Sequence, residues 1–418
     1  MSTLINKQIN LIKILKISFL PLLIFSIIYC SAYAYTTYDS SSILYYNVFI
    51  LLYLSLSYLN KMNYSMNIEL KKSNKNRGLW TLLILIFGLV FSMLMNEGDV
   101  VNLSYYRTIS IFTSAYLITK IIDFQIFVNI YIKVLTLLSS ISLIIYTYVN
   151  LYNFPSWNIF TNSNGVSYYN GYINFVMIHA PERNTGIFWE PGIFSTFLII
   201  GIVFETIFKH KTNWYIVMLF FITNITTLST ASYFLLIILT LIFINKNKNS
   251  LSIIVINIVS FLIIISMWLY QENIINMLSS NFPTIFGKLD SMNGSVTTRT
   301  MGPWVDINIF IDNFFVGVGF SEYQMLWKKI AAGYGVVSQT STITYFMATI
   351  GMFGSIYVTS IFYGFLTTNS IRLMQRVFLL TLFLFILTKE PHQNNLLMNT
   401  ILFYFIGGKV LLNGDSKR

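Results

Sequence analysis

The sequence predicts an all-α polytopic membrane protein with about twelve transmembrane helices. Three observations carry that prediction. Of 418 residues, 55% are hydrophobic and only 10% charged, with a mean hydropathy of +0.67, whereas soluble domains carry roughly 25% charged residues. Apolar runs near the ~20 residues that a bilayer span requires recur along the whole chain. The basic residues fall in alternate connections, as they do when every second loop faces the cytoplasm.

The runs lie near 15–34, 43–60, 79–96, 101–119, 127–149, 187–208, 213–228, 231–245, 251–270, 340–366, 377–389 and 395–411. The first follows lysines and ends on "AYA", as a signal peptide does. Its apolar part is long for that role, so it is read as a span. It also holds the only cysteine, Cys30, which leaves the chain no disulfide and reads as a small buried hydrophobe. The seventh and eighth runs share the stretch between Lys211 and Lys246, with "TTLSTAS" from Thr226 at their junction. Such a turn is expected below the membrane surface, lining a cavity.

With the N-terminus inside, only Arg107, Arg183, Lys288, Arg299, Lys328, Lys329 and Lys389 of the 26 Lys and Arg fall outside. Both termini are therefore expected in the cytoplasm. The net charge of +11 is scattered over short loops, which argues against a nucleic-acid partner. The 28 tyrosines and 36 phenylalanines suit a chain with much interfacial surface.

Two outside loops are long, 150–186 and 271–339, so the chemistry is expected at that face. In "HAPERNTGIFWEPGIF", from His179, Arg183 stands beside Glu182 and ahead of a helix start. A helix N-terminus and an arginine together suit an anion. Glu190 is expected one or two turns inside that helix, either as a functional carboxylate or as the structural partner of Arg183. Arg299 stands in "TTRTMGPW" of the second loop, and two outer arginines on different loops could clamp one pyrophosphate. Arg107, at the outer end of the fourth run, either snorkels or joins that face. His179 and His392 are candidate general bases or bystanders. The aromatic "YYNGYINF" suits either sugar stacking or an interfacial belt. The sequence contains no HExxH, Walker loop or carboxylate cluster, so neither metal nor cofactor is expected.

Three stretches, in order, resemble the O-antigen polymerase and ligase superfamily of bacterial envelope glycosyltransferases. "RNTGIFWEPGIFSTFL" from Arg183 is similar to the family's R-x-x-G-x-F-x-E-P segment, and "TTLSTASYFLLIIL" from Thr226 to its T-x-S-R-G-A-x-L turn. "RTMGPWVDINIFIDNFFVGVGFSEYQ" from Arg299 is similar to an arginine followed by a tryptophan, here Trp304, and a glycine-rich turn. "TSTITYFMATIGMFGSIY" then resembles the closing G-x-x-G helix. Thr230 replaces the arginine of the second motif, and Thr340 stands where ligases carry histidine, which favours a polymerase over a ligase.

The resemblance implies an inner-membrane enzyme whose substrates are sugar repeat units on undecaprenyl pyrophosphate, handled at the periplasmic face. It implies membrane lipid and a chain-length regulator as partners. Arg183 and Arg299 would hold pyrophosphate. Glu190, or else Glu182 or His179, would take the proton of the attacking hydroxyl, and Arg107 and Trp304 would line the substrate path. Capsule or exopolysaccharide polymerases share these features. A ligase and a lipid-linked oligosaccharide flippase are the alternatives, although a flippase would be expected to show two related halves.

Overall fold

The architecture comes from a computed structural model that describes residues 76–152, 158–229, 294–336 and 338–410 except for a few positions, with scattered positions between 24 and 57 and between 232 and 239. The run near 251–270, most of those near 15–34, 43–60 and 231–245, the start of the second long loop with Lys288, Cys30 and Thr230 lie outside the described residues. The chain divides into two compact units, one of Met1–Tyr46, Ile122–Thr227 and Leu411–Arg418, the other of Asn47–Ile121 and Leu228–Val410. The described structure is mainly helical. Arg77–Met95, Phe124–Leu151 and Pro191–Phe208 are each long and apolar enough to cross a membrane. Trp214–Thr226, Met352–Leu366 and Leu396–Ile406 are apolar but shorter.

In the second unit the described helices are α1 (Arg77–Met95) and α2 (Leu103–Ile121), joined through a single 3-10 turn at Asp99–Val101. In the first unit, α3 (Phe124–Tyr152) leads into three short antiparallel strands. These are β1 (Ile159–Thr161), β2 (Ser167–Asn170) and β3 (Phe175–Met177), with β2 in the centre. Then come α4 (Pro191–Val203), which continues as a π turn over Phe204–Phe208, and α5 (Trp214–Thr226). The first long loop is thus partly a small sheet.

Packing in the first unit centres on α4, every residue of which is buried. Tyr131 of α3 donates its hydroxyl to the Phe197 carbonyl at 2.8 Å. Phe124, Phe127, Phe204 and Phe208 meet edge to face around it. Gly201 lets the helices close up, because a Cβ there would come within 2.6 Å of Leu135 and 2.8 Å of Phe220. At the turn after the π segment, buried Glu205 pairs with Lys209 at 3.1 Å and accepts the Asn213 N–H at 2.8 Å.

The second unit continues with α6 (Gly294–Asp312), α7 (Gly319–Gly333), α8 (Thr342–Ile350), α9 (Met352–Leu366), α10 (Leu373–Lys389) and α11 (Leu396–Ile406). The second long loop, expected to be a connection, is largely α6 and α7. α7 is amphipathic: Tyr323, Trp327 and Ala331 join Val305 and Ile309 of α6 in one buried cluster, while Glu322, Lys328 and Lys329 stay exposed. α11 is buried throughout and packs chiefly on α2.

The single span expected over 340–366 is two helices. Gly351 breaks it with φ 60° and ψ −133°, a conformation open to glycine and strained for other residues. A side chain there would also lie 2.6 Å from the Gly317 nitrogen and 2.7 Å from the Phe314 carbonyl. Gly317, itself at φ 74°, abuts the Thr349 carbonyl, and Val318 N–H donates to Ala348 O at 3.1 Å. The two glycine motifs are therefore one contact, with the turn before α7 seated on the end of α8.

Candidate functional site

In the first unit, the segment around Arg183 is a rigid turn. Arg183 N–H closes it on Ala180 O at 3.1 Å. Asn184 anchors it: its Oδ1 accepts from Ser142 Oγ at 2.6 Å and Gly186 N–H at 3.1 Å. Its own N–H and Nδ2 donate to Thr226 O and Oγ1, each at 3.0 Å. Arg183 Nε donates to Thr227 O at 3.4 Å, just before Leu228, whose φ of 46° puts a non-glycine residue in the left-handed region. The arginine of the first motif is thereby held by the turn of the second.

Glu190 is not inside α4. It is the residue ahead of it, extended at φ −146° and ψ 141°, because the following Pro191 excludes helical backbone and itself occupies the first helical position. Its carbonyl accepts from Ile193 and Phe194 N–H at 3.2 Å, while its side chain caps nothing. The half-buried carboxylate sits toward the sheet, where its charge adds to burial in raising the Tyr168 hydroxyl above its ordinary range. Tyr168 and Phe175 are buried against Phe160, with centroids 5.2 Å apart in each case, so these members of the aromatic segment form the sheet's core rather than a free stacking surface. His179 and Glu182 are exposed on the turn before Arg183, where Tyr146 donates to Glu182 O at 3.0 Å.

The second unit holds Arg299, Trp304 and Arg107. Arg299 lies on α6 and pairs with Glu390 at 3.4 Å; its side chain keeps 30% exposure against 3% for the glutamate, so a ligand can reach it. Glu390 closes α10 in an extended conformation, φ −141° and ψ 148°, with Pro391 as cause. The hydroxyl of Thr342 donates to Glu390 O at 3.2 Å and accepts His392 N–H at 2.7 Å. His392 is buried, with Nδ1 3.3 Å from Asn395 Nδ2. Burial, then the charge of Lys389, lowers its pKa to about 3, so the ring is neutral at pH 7 and a poor proton acceptor. Among the described residues, neither His392 Nε2 nor Thr340 Oγ1 has a hydrogen-bond partner. Arg107 is half-buried in the second turn of α2, and its Nε likewise has no partner among the described residues. Trp304 is 56% exposed on the side of α6 away from the buried cluster.

Two turns along α6 from Arg299, Asp306 is fully buried. It accepts Tyr323 OH and Thr344 Oγ1, each at 2.6 Å, and Gln339 Nε2 at 3.4 Å. Burial raises its pKa to about 6 against these stabilising bonds, and its charge adds to the burial that raises the Tyr323 hydroxyl. Glu390 and Asp306 were missed in the sequence. One signal was present: "KEP" at Lys389 repeats the glutamate–proline step of "WEP" at Trp189, and both glutamates are extended. Among the described residues, no three His, Cys, Asp or Glu side chains gather to hold a metal. Comparison of the chain with protein-family models, with curated proteins and with solved structures finds no match.

Proposed function

We propose that the chain is a surface-polysaccharide polymerase that joins repeat units carried on a lipid pyrophosphate at the periplasmic face of the inner membrane. One observation supports this reading most. The motif-like stretches pair in space within each unit: Arg183 and Asn184 bond the Thr226–Thr227 turn, and Gly317 seats on Gly351. Stretches picked out by resemblance alone would have no reason to meet.

In this reading a sugar hydroxyl of one unit attacks the anomeric carbon of another, whose bond to the pyrophosphate oxygen breaks. The leaving group is already anionic, so it needs cations more than a proton donor. Arg183, on its bonded turn in the first unit, and Arg299, paired with Glu390 in the second, are each a candidate for that role. Glu190, the residue ahead of α4, takes the hydroxyl proton. His392 is unsuited to that step because its ring protonates only near pH 3.

Deletion in a bacterium that makes long-chain O-antigen tests the assignment. A single repeat unit on the lipid core is expected; bare core with accumulated polymer would instead mean a ligase, and units trapped inside a flippase. Arg183→Ala, Arg299→Ala and Glu190→Gln, each at normal protein level, should shorten the glycan ladder. Full-length ladders from all three would remove the site assignment.

A further inference from the structure

Helix α6 carries three charged groups, Arg299, Asp306 and Asp312, and is not among the helices apolar enough to cross a membrane. Even so, one of its faces is apolar and uncovered. Met301, Trp304 and Ile311 fall on a single stripe, continued by Phe314 and Phe315 just past the helix end, with Ile311 65% and Phe315 70% exposed. The opposite face, with Gly302, Val305, Asp306 and Ile309, is the one buried within the unit.

Contacts elsewhere in the unit fix the level of that stripe. Phe314 and Phe315 back onto Gly351, and Gly317 abuts Thr349. The Thr349 carbonyl in turn accepts Ser92 Oγ of α1 at 3.2 Å. Ser92 is in the last turn of α1, a helix apolar enough to cross a membrane, and that turn exposes Leu94 and Met95. The end of α6 that carries the stripe is therefore tied, through Thr349, to the last turn of a crossing helix. Its polar accents suit headgroups. Trp304 has an apolar ring with one N–H, and Asn308, within the stripe, donates to Tyr334 OH at 3.5 Å. Exposed Lys328 and Lys329 stand on the neighbouring α7.

We propose that α6 lies in the plane of the bilayer surface, with Met301, Trp304, Ile311 and Phe315 sunk into the boundary between headgroups and acyl chains. Arg299 and Asp306 lie on the side away from the stripe, and Asp312 is exposed at its border by the helix end, so the helix has the amphipathic build that takes that position. Arg299, on the protein side of the same helix, then sits at headgroup depth. This stands apart from the polymerase reading and rests only on the chain being embedded in a membrane. Trp304 becomes a lipid anchor rather than part of a substrate path.

The test uses the full chain in vesicles of phosphatidylethanolamine and phosphatidylglycerol. Cys30→Ser removes the native cysteine; Met301→Cys, Trp304→Cys, Ile311→Cys and Phe315→Cys, each with a nitroxide label, report the stripe, and Glu322→Cys and Lys329→Cys report the exposed face of α7. Collision with oxygen, which concentrates in lipid, is compared with collision with a water-soluble nickel chelate. Stripe positions should favour oxygen several-fold over the α7 positions. A stripe that favours nickel is in water, and one shielded from both reagents is covered by protein, such as a second copy; either result overturns the proposal. Each exposed site reports separately, so one that fails to fold leaves the others to decide.

Discussion

The buried carboxylate of Asp306 should make the protein less stable as pH rises, with a size that follows from its surroundings. Its pKa is about 6 in the folded chain against an ordinary 3.8. At about 1.36 kcal/mol per unit, the ionised side chain costs the fold about 3 kcal/mol at neutral pH. A carboxyl group whose pKa is raised by folding contributes stability below its unfolded value, and that stability is lost as pH climbs through the folded one. The window here runs from about pH 4 to about pH 6. Asp306→Asn removes the ionisation while keeping an oxygen for Tyr323 OH, and Thr344 and Gln339 can each reverse their bond. Unfolding of both proteins in mixed detergent micelles should show wild type losing about 2 kcal/mol relative to the variant between pH 4.5 and 7.5. A difference that stays constant across that range would refute the reasoning. Asp306→Ala should be worse at every pH, since it strands buried donors at about 1–3 kcal/mol each.

Other perturbations separate structure from chemistry. Arg299→Ala leaves Glu390 buried without its ion-pair partner and should cost about 1–3 kcal/mol in the same unfolding assay. Adding Glu390→Gln should restore stability but not glycan length, whereas a purely structural arginine would recover both. Gly351→Ala forces a side chain into a glycine-only conformation, about 1–3 kcal/mol before the overlap with Gly317 is counted, and should lower the melting temperature. Asp99→Ala removes the carboxylate that accepts Phe320 and Ser321 N–H at 2.9 and 3.0 Å. Faster hydrogen exchange at the start of α7, from a loss of about 2 kcal/mol, is the expected result.

How much of this was legible in the sequence depended on the range of the signal. The long runs at 79–96 and 127–149 correspond to α1 and α3 because an unbroken apolar stretch is a local property. The break at Gly351 was hidden for the same reason: the apolar run continues through it, and only the approach of Gly317 from another segment demands a glycine there. The small sheet escaped notice because its strands are three or four residues long, too short for alternation to register. Arg183 and Arg299 are legible as charges of the two long outer loops, but their partners Thr227 and Glu390 lie 44 and 91 residues away. The apolar run suggests a Glu190 one or two turns inside the helix, but the residue before a proline leaves the helix, and Glu190 stands just ahead of it.

The bond from Asp99 to the start of α7 spans 221 residues of chain. At translation rates of roughly 5–20 residues per second, the aspartate is made some ten to forty seconds before the backbone that will hold it. Throughout that interval its turn, with the apolar neighbours Val100 and Val101, belongs to an unfinished surface. Assembly of the second unit is thus tied to completion of the chain, and a ribosome stalled before α7 leaves a carboxylate with no burial site. Truncations ending ahead of Gly319 should for that reason fall to quality-control proteolysis rather than persist as a folded half.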